Sequence, residues 1–263
     1  SCYKNGGSTH FKRNELKDFS PQCVTEGENN TIWIGTYGGG ILKTRGKDYN
    51  FVEATNGLIV LDLFYENGKL WLSTFKNGVL VYDISSRKLY PIEDSENAPT
   101  KNCRIVYKDS WGSKWIGTSG GGLLKYSRPE IKNLSSSDGI VGNYIYAVSN
   151  SLDSGIWMST NARKLYKYSN GDLVEYGLKK NIFPQKIKAL LEDSKGRLWI
   201  GTEGSGVMLW QNGKTKFLKE GKYLTSNFTK DIVEDKDGYI WVATSNGISR
   251  FTSDLAHVKF FTK

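Results

Sequence analysis

The chain has only two histidines, His10 and His257, one near each end. Both fall near the chain ends in segments expected at an edge, as solvated terminal residues, so no Ser-His-Asp constellation is placed on them. A lyase needs a general base, usually His, Tyr or Lys, so a Tyr or Lys base stays open. Glycoside hydrolysis needs two facing carboxylates. Most Asp and Glu of this chain recur in one kind of turn, while Glu203 stands nearly alone in another loop set. Asp235 to Gly238 reads Asp-x-Asp-Gly, the opening of a calcium loop, but the downstream ligands are missing and a hairpin turn explains it better. Lyase or hydrolase chemistry is therefore an alternative, and no catalytic set, metal site or cofactor is assigned.

Residues suited to binding are easier to find. Tyr37, Phe75, Lys76, Asn77, Asn161, Arg163, Lys164, Glu203 and Asn246 interrupt an otherwise regular pattern in one set of loops. Asn143, Tyr144 and Gln185 do so in a second set, with Asn56, Lys101, Asn102, Ser226 and Asn227 beside them. Packing does not require these residues, and loops carry function on a rigid scaffold. Aromatic rings beside Asn, Arg and Glu suit a sugar, which offers an apolar face and a rim of hydroxyls. Lys76, Arg163 and Lys164 suit a carboxylate or sulfate on that sugar. Taken singly, each is an ordinary exposed loop residue.

The elements that position them come from a repeat. Trp, an aliphatic residue, a small residue and Thr recur at Trp33, Trp71, Trp115, Trp157, Trp199 and Trp241, spaced 38, 44, 42, 42 and 42 residues apart (the aliphatic being Met158 in the fourth). A period near 42 holding several short strands predicts an all-β fold, a β-propeller of four-stranded antiparallel blades. The repeat runs almost end to end, so residues 1–263 read as one domain of six units. The fifth unit is clearest: strands at 187–192, 197–202, 207–210 and 215–218, with turns at Asp193-Ser194-Lys195-Gly196 and Gln211-Asn212-Gly213-Lys214. Fourth strands carry aromatics: Phe51, Tyr90, Tyr176, Phe217 and Phe260.

Stacked blades bury both faces of their middle strands, and side chains two apart share a face. The Trp supplies bulk and the Gly, Ser or Ala beside it leaves room for the next blade. All six tryptophans are thus expected in the core. Trp111, in the turn Asp109-Ser110-Trp111-Gly112, is different: exposed, it would mark a protein contact such as a second propeller or a homodimer, and otherwise it folds back on its own blade.

Net charge is +9, which favours an anionic partner, but Lys and Arg are scattered and form no dense stripe, so a solvated basic surface is the plainer reading and nucleic acid is not expected. Cys2, Cys23 and Cys103 are widely spaced with no CxxC pair, against a zinc site. Cys23 and Cys103 fall in innermost strands of non-adjacent blades, as small core residues without a disulfide. Cys2 precedes the polar run Lys4-Asn5-Gly6-Gly7-Ser8, weakly like the start of a lipidated mature chain. No run of about 18 apolar residues spans a membrane, and no signal peptide is evident.

Leu190-Leu191-Glu192-Asp193 through Thr202, and Asp231 through Thr244, resemble the two-component regulator propeller repeat. Gly38-Gly39-Gly40 and Gly120-Gly121-Gly122 resemble its glycine loop, while the fourth unit has Asn161-Ala162-Arg163-Lys164 there and the second Phe75-Lys76-Asn77. The resemblance covers about 20 to 261. It implies an extracytoplasmic sensor that perceives a glycan, frequently an oligosaccharide, for a membrane histidine kinase. It also implies periplasmic or extracellular placement, with a second propeller or membrane-linked signalling domains as partners. Family sensors often pair two seven-bladed propellers, whereas six units are counted here. Leu255 to Phe261 resembles a fourth strand, as does Thr9 to Lys12 followed by Leu16 and Phe19. Either one end is an extra tail or the array is longer. A protein-binding scaffold is the other non-enzymatic reading.

Overall fold

A computed structural model of the chain describes residues 2–4, 7–9, 20–45, 48–93, 98–127, 130–176, 183 and 185–262. His10, Lys12, Leu16 and Phe19, with Asn5 and Gly6 of the terminal run, lie outside the described residues. A short pair, β1 (Cys2–Lys4) and β2 (Gly7–Thr9), precedes the repeat. Blade 1 is β3 (Ser20–Glu26), β4 (Ile32–Tyr37), β5 (Ile41–Arg45) and β6 (Asp48–Phe51). Blade 2 is β7 (Val60–Glu66), β8 (Lys69–Thr74), β9 (Gly78–Asp83) and β10 (Lys88–Pro91). Blade 3 is β11 (Cys103–Lys108), β12 (Lys114–Thr118), β13 (Leu123–Ser127) and β14 (Glu130–Leu134). Blade 4 is β15 (Ile145–Asn150), β16 (Ile156–Thr160), β17 (Leu165–Ser169) and β18 (Asp172–Tyr176). Blade 5 is β19 (Ile187–Glu192), β20 (Leu198–Thr202), β21 (Val207–Gln211) and β22 (Lys214–Leu218). Blade 6 is β23 (Thr229–Glu234), β24 (Ile240–Thr244), β25 (Gly247–Phe251) and β26 (Val258–Phe261). Among the described residues these are six four-stranded antiparallel sheets in sequence order, the β-propeller class the repeat predicts. By contact density the chain forms two compact units, residues 1–106 with 126–131 and residues 107–125 with 132–263.

The repeated residues form these elements for local reasons. The motif Thr closes the turn from second to third strand. In blades 1, 3 and 5 its hydroxyl donates to the carbonyl of Gly40, Gly122 or Gly206 at 2.8–2.9 Å. The same hydroxyl accepts from the N–H of Gly39, Gly121 or Ser205. Gly40 needs to be glycine: its φ is +71°, and a Cβ would sit 2.0 Å from the Thr55 carbonyl oxygen. In the first turn, the Asp takes two backbone N–H groups on one oxygen and the motif indole on the other. Asp193 holds Lys195 and Arg197 N–H at 3.0 Å and Trp199 Nε1 at 2.7 Å. Asp109 and Asp235 do the same for Trp115 and Trp241. Blade 4 has Ser151 instead, and Glu192 of blade 5 accepts from both Ser151 Oγ and Trp157 Nε1 at 2.6 Å. Asp235 to Gly238 is thus a hairpin turn whose carboxylate is committed to its own tryptophan.

Blades pack by a constant rule inside each unit. In the second unit, Ala189, Trp199, Val207 and Leu209 of blade 5 cluster with Ile232, Ile240, Val242 and Phe251 of blade 6. In the first, Trp33 and Ile41 of blade 1 cluster with Leu63, Leu70, Leu72 and Leu80 of blade 2. The small motif residue makes this contact fit: a Cβ on Gly35 would meet Val60 Cγ1 at 2.8 Å, and one on Gly201 would meet Thr229 Cγ2 at 2.5 Å. Five motif tryptophans are buried, with exposures of 0–6%. Trp241 departs from expectation and is half-buried. Cys103 is buried and Cys23 packs at the edge of the blade 1 and 2 cluster, both as free thiols; burial pushes the Cys103 thiol up to about 12. Trp111 is exposed at 55% and so does not fold back on its blade.

Candidate functional site

In the second unit, the loops from second to third strand are laced to the connections entering the next blade. Gly120 and Gly122 N–H donate to the Asn143 carbonyl, and Asn161 N–H to that of Tyr144 at 2.9 Å. Glu203 N–H donates to the Lys186 carbonyl, Gly204 and Gly206 N–H to that of Asn227, and Ser245 N–H to that of Phe228. Ser119 pairs with Tyr144, and Glu203 with Phe228, as single antiparallel bridges. The glycines drive this geometry, since their left-handed φ turns the N–H groups outward towards the neighbouring connection. The result is a belt of side chains on well-tied backbone: Tyr144, Asn161, Lys186, Glu203, Phe228 and Asn246.

Two aromatic rings on this belt face solvent, Tyr144 at 44% and Phe228 at 52% exposure. Lys186 Nζ lies 3.8 Å from the Glu203 carboxylate, an exposed pair with little net effect on stability. Asn143, Tyr144 and Asn161 line a cavity of about 590 Å³, together with Ser136 and residues 139–142. Asn161 Oδ1 accepts from Tyr144 N–H at 3.3 Å, and Thr160 Oγ1 donates to the Val141 carbonyl at 2.8 Å, so the cavity wall is held from both sides. Tyr166 Oη accepts from Val141 N–H beneath it, and burial raises its hydroxyl above the ordinary value.

The expected residues separate into those on this belt and those elsewhere. Asn143, Tyr144, Asn161, Glu203 and Asn246 are on it, with Gln185 exposed beside Lys186. Asn246 Nδ2 donates to the Thr225 carbonyl at 3.4 Å. Arg163 is exposed with a φ of 60°, filling the turn position that glycine takes in other blades. Lys164 turns to its own blade edge, 2.5 Å from Glu175 of β18, and that contact raises its ammonium above the usual range. Tyr37, Phe75, Lys76 and Asn77 belong to the first unit. There Tyr37 bridges Ile59 and is 55% exposed. Lys76 Nζ lies 5.5 Å over the Phe75 ring, and Asn102 Oδ1 accepts the Lys76 N–H at 3.1 Å.

Phe228 and Lys186 were not among the expected residues. The repeat held the signal: Phe228 precedes β23 by one residue as Tyr144 precedes β15, and Lys186 precedes β19 in the same way. Glu203 is also less alone than the sequence suggests, since Glu220 lies in the connection from β22 to β23 and accepts from Asn227 N–H at 3.3 Å. His257 sits exposed in the turn between β25 and β26, at the other ends of the strands, with its N–H given to Thr252 Oγ1. Among the described residues, no group of three His, Cys, Asp or Glu is placed to hold a metal ion. No helix among them is long and apolar enough to cross a membrane.

The family model for the two component regulator propeller matches residues 181–204 and 223–246, the entries into blades 5 and 6 through their motif tryptophans. No curated protein matches the sequence. Among solved structures, the chain is similar to the extracellular domain described as that of a hybrid two component system from B. thetaiotaomicron. The identity is 24% and the TM-score 0.77, over 97% of this chain and 36% of that one. It is also similar to the extracellular domain of a one component system from the same organism, at 19% identity and a TM-score of 0.76, over 97% of this chain and 42% of that one. Virginiamycin B lyase from Staphylococcus aureus, in a catalytically inactive form with quinupristin, is similar at 15% identity and a TM-score of 0.74, over 94% and 85% of the two chains. The chain therefore spans less than half the length of the two extracellular domains, and at these identities the likeness establishes fold, not chemistry. Residues 181–204 and 223–246 match the two component regulator propeller repeat, on a fold shared with extracellular domains of a one component and a hybrid two component system and with a lyase.

Proposed function

We propose that the chain is an extracytoplasmic sensor propeller of a two-component system, and that it binds an oligosaccharide at the belt of its second unit. The observation that carries this reading is the exposed pair Tyr144 and Phe228, each fixed by backbone pairing in its own loop, Tyr144 with Asn161 and Phe228 with Glu203, which is tied in turn to Lys186. Rings of this kind pack against the apolar face of a pyranose, while amide, ammonium and carboxylate groups meet its hydroxyls. Lys186, and Arg163 two residues after Asn161 on the blade 4 loop, favour a sugar bearing carboxylate or sulfate. The resemblance of the repeat to sensor propellers, and the likeness to extracellular domains of signalling systems, support the same role. The signal would pass to membrane-linked domains of a longer chain.

A thermal-shift screen against neutral and acidic oligosaccharides, with product analysis on every hit, tests this. Binding to the folded state alone raises the melting temperature in proportion to the logarithm of ligand over Kd. The expected result is stabilisation without turnover, lost in Tyr144→Ala and in Phe228→Ala. Turnover of the sugar would move the assignment to a lyase or hydrolase. No shift with any sugar would sink the oligosaccharide reading.

A further inference from the structure

We propose that the first unit carries a second binding site, for a small aromatic carboxylate, along the row Tyr37, Ile59 and Phe75, with the Lys76 ammonium as the group that takes the carboxylate. The row follows from register. Tyr37 and Ile59 are opposed in a single antiparallel bridge, and Phe75 N–H donates to the Ile59 carbonyl at 3.0 Å. Val60 stands opposite Thr74, so one step further along the same two strands Phe75 stands opposite Ile59. Residues directly opposed in antiparallel strands share a face. The three side chains therefore run side by side over a length of about 10 Å. Tyr37 is 55% exposed, and Ile59 and Phe75 are half-buried.

Lys76 occupies a place where the turn itself asks for glycine. It follows Phe75 as Gly38 follows Tyr37, Gly120 follows Ser119 and Gly204 follows Glu203. All four have a positive φ, at 77°, 93°, 100° and 113°. A Cβ placed on Gly38 or Gly120 meets nothing within 4 Å, so the position has no space that packing needs filled. The left-handed region costs a residue with a Cβ free energy that it does not cost glycine. Lys76 is exposed and recovers none of this by burial. The turn gives up stability to keep this side chain, which is a pattern of binding sites. Its backbone is held in place meanwhile: Asn102 Oδ1 accepts Lys76 N–H at 3.1 Å, and Gly78 N–H donates to the Lys101 carbonyl at 2.8 Å. Lys76 Nζ lies 5.5 Å from the centre of the Phe75 ring, so the charge stands at the end of the row. Among the ion pairs of the described residues, none engages this ammonium.

The row sets the chemistry of its ligand. Its side chains are aromatic and aliphatic, and the Tyr37 hydroxyl is the one polar group among the three. The charge beside them is positive, so a cation is repelled. A sugar would find no partner for its hydroxyls along Ile59 and Phe75. A flat aromatic body lies along such a row, and a carboxylate at its Phe75 end takes a charge-assisted hydrogen bond from Lys76 Nζ. The second unit differs, because its belt sets Asn161, Lys186 and Glu203 beside its rings. The two units therefore select different ligands, and this site does not rest on the oligosaccharide reading.

The probe is trans-cinnamate, with cinnamamide as its uncharged match, each titrated into the full chain by calorimetry. The carboxylate should bind roughly tenfold more tightly than the amide. Lys76→Gln should abolish that preference, and Tyr37→Ala should weaken both probes. Lys76→Gly gives a reading that a merely structural lysine would not. Its melting temperature should rise, because glycine accepts the positive φ, while the preference for the carboxylate is lost. Equal binding of the two probes to the parent chain, or binding of neither, overturns the proposal. So does a preference that survives Lys76→Gln, or a Lys76→Gly chain that melts lower, since the lysine is then kept for stability. Binding that is lost in Tyr144→Ala and kept in Tyr37→Ala overturns it too, by assigning the probe to the second unit.

Discussion

Blade 5 and blade 6 carry the same motif on the same four strands, and they differ in what touches them. Trp199 is 0% exposed beneath blade 6, while Trp241 is half-buried, with Phe261 of its own blade stacked 5.5 Å away and the Arg250 guanidinium 5.4 Å over its ring. Both indoles are held identically at Nε1, by Asp193 and by Asp235 at 2.7 Å. The local turn is thus a property of the unit, and burial is a property of the neighbour. Blade 1 makes the mirror comparison within the first unit: Val24 is 63% exposed, whereas Leu63, the fourth residue of blade 2's first strand and paired within its sheet in the same way, is 5% exposed.

The comparison can be broken most severely with charge. Val207→Lys buries an unpaired ammonium between blades and should cost more than about 4 kcal/mol, seen as loss of the cooperative transition in urea. Ile248→Lys at the matching place in blade 6 should stay within about 1 kcal/mol. Next comes bulk: Trp199→Ala should cost about 3–5 kcal/mol, and Trp241→Ala roughly half of that, both by denaturant midpoint. Equal costs would mean that Trp241 is as buried as Trp199 in solution. Gly201→Val should be destabilising by about 1–3 kcal/mol, because its side chain must enter the space of Thr229, while Ala243→Val should be close to neutral.

The smallest effect is in pH. Hydrogen bonds from Trp241 Nε1 and from the N–H groups of Tyr239 and Asp237 hold the Asp235 carboxyl below its ordinary range, although burial pulls the other way. Its contribution is present above the unfolded carboxylate value of about 3.9 and is lost as pH falls through the lower folded value. Desolvation raises the Asp231 carboxyl above its ordinary range, although the Ile232 N–H pulls the other way. The folded state then binds its proton more tightly, so its contribution is present below about 3.9 and lost as pH rises through the higher folded value. Melting curves of Asp235→Asn and Asp231→Asn against pH should therefore diverge from the parent in opposite directions. Parallel curves would count against the difference in environment.

The belt of loop residues was only partly legible. Tyr144, Asn161, Glu203 and Asn246 stood out because they break a regular pattern in loops. Phe228 was hidden because it directly precedes a strand and reads as part of it, and Lys186 because lysine is common everywhere in this chain. Lys164 looked equally suited to an anion, yet its partner Glu175 lies across two strands of its own blade, a pairing set by register that spacing alone does not reveal. Trp241 was expected in the core because stacked blades bury both faces of a middle strand, and it is half-buried instead.

The sequence by itself determined the blade. Each unit of about 42 residues places its four strands next to one another in the chain, and hairpin turns, alternation and the Asp-to-Trp hydrogen bond all act within a few residues. The tertiary structure decided the rest: which faces are covered, which carboxylate finds a backbone N–H, and which loop residues stand together as a belt. Those contacts join different units, and a repeat writes nearly the same residues at each place, so only the neighbour that arrives distinguishes one copy from another.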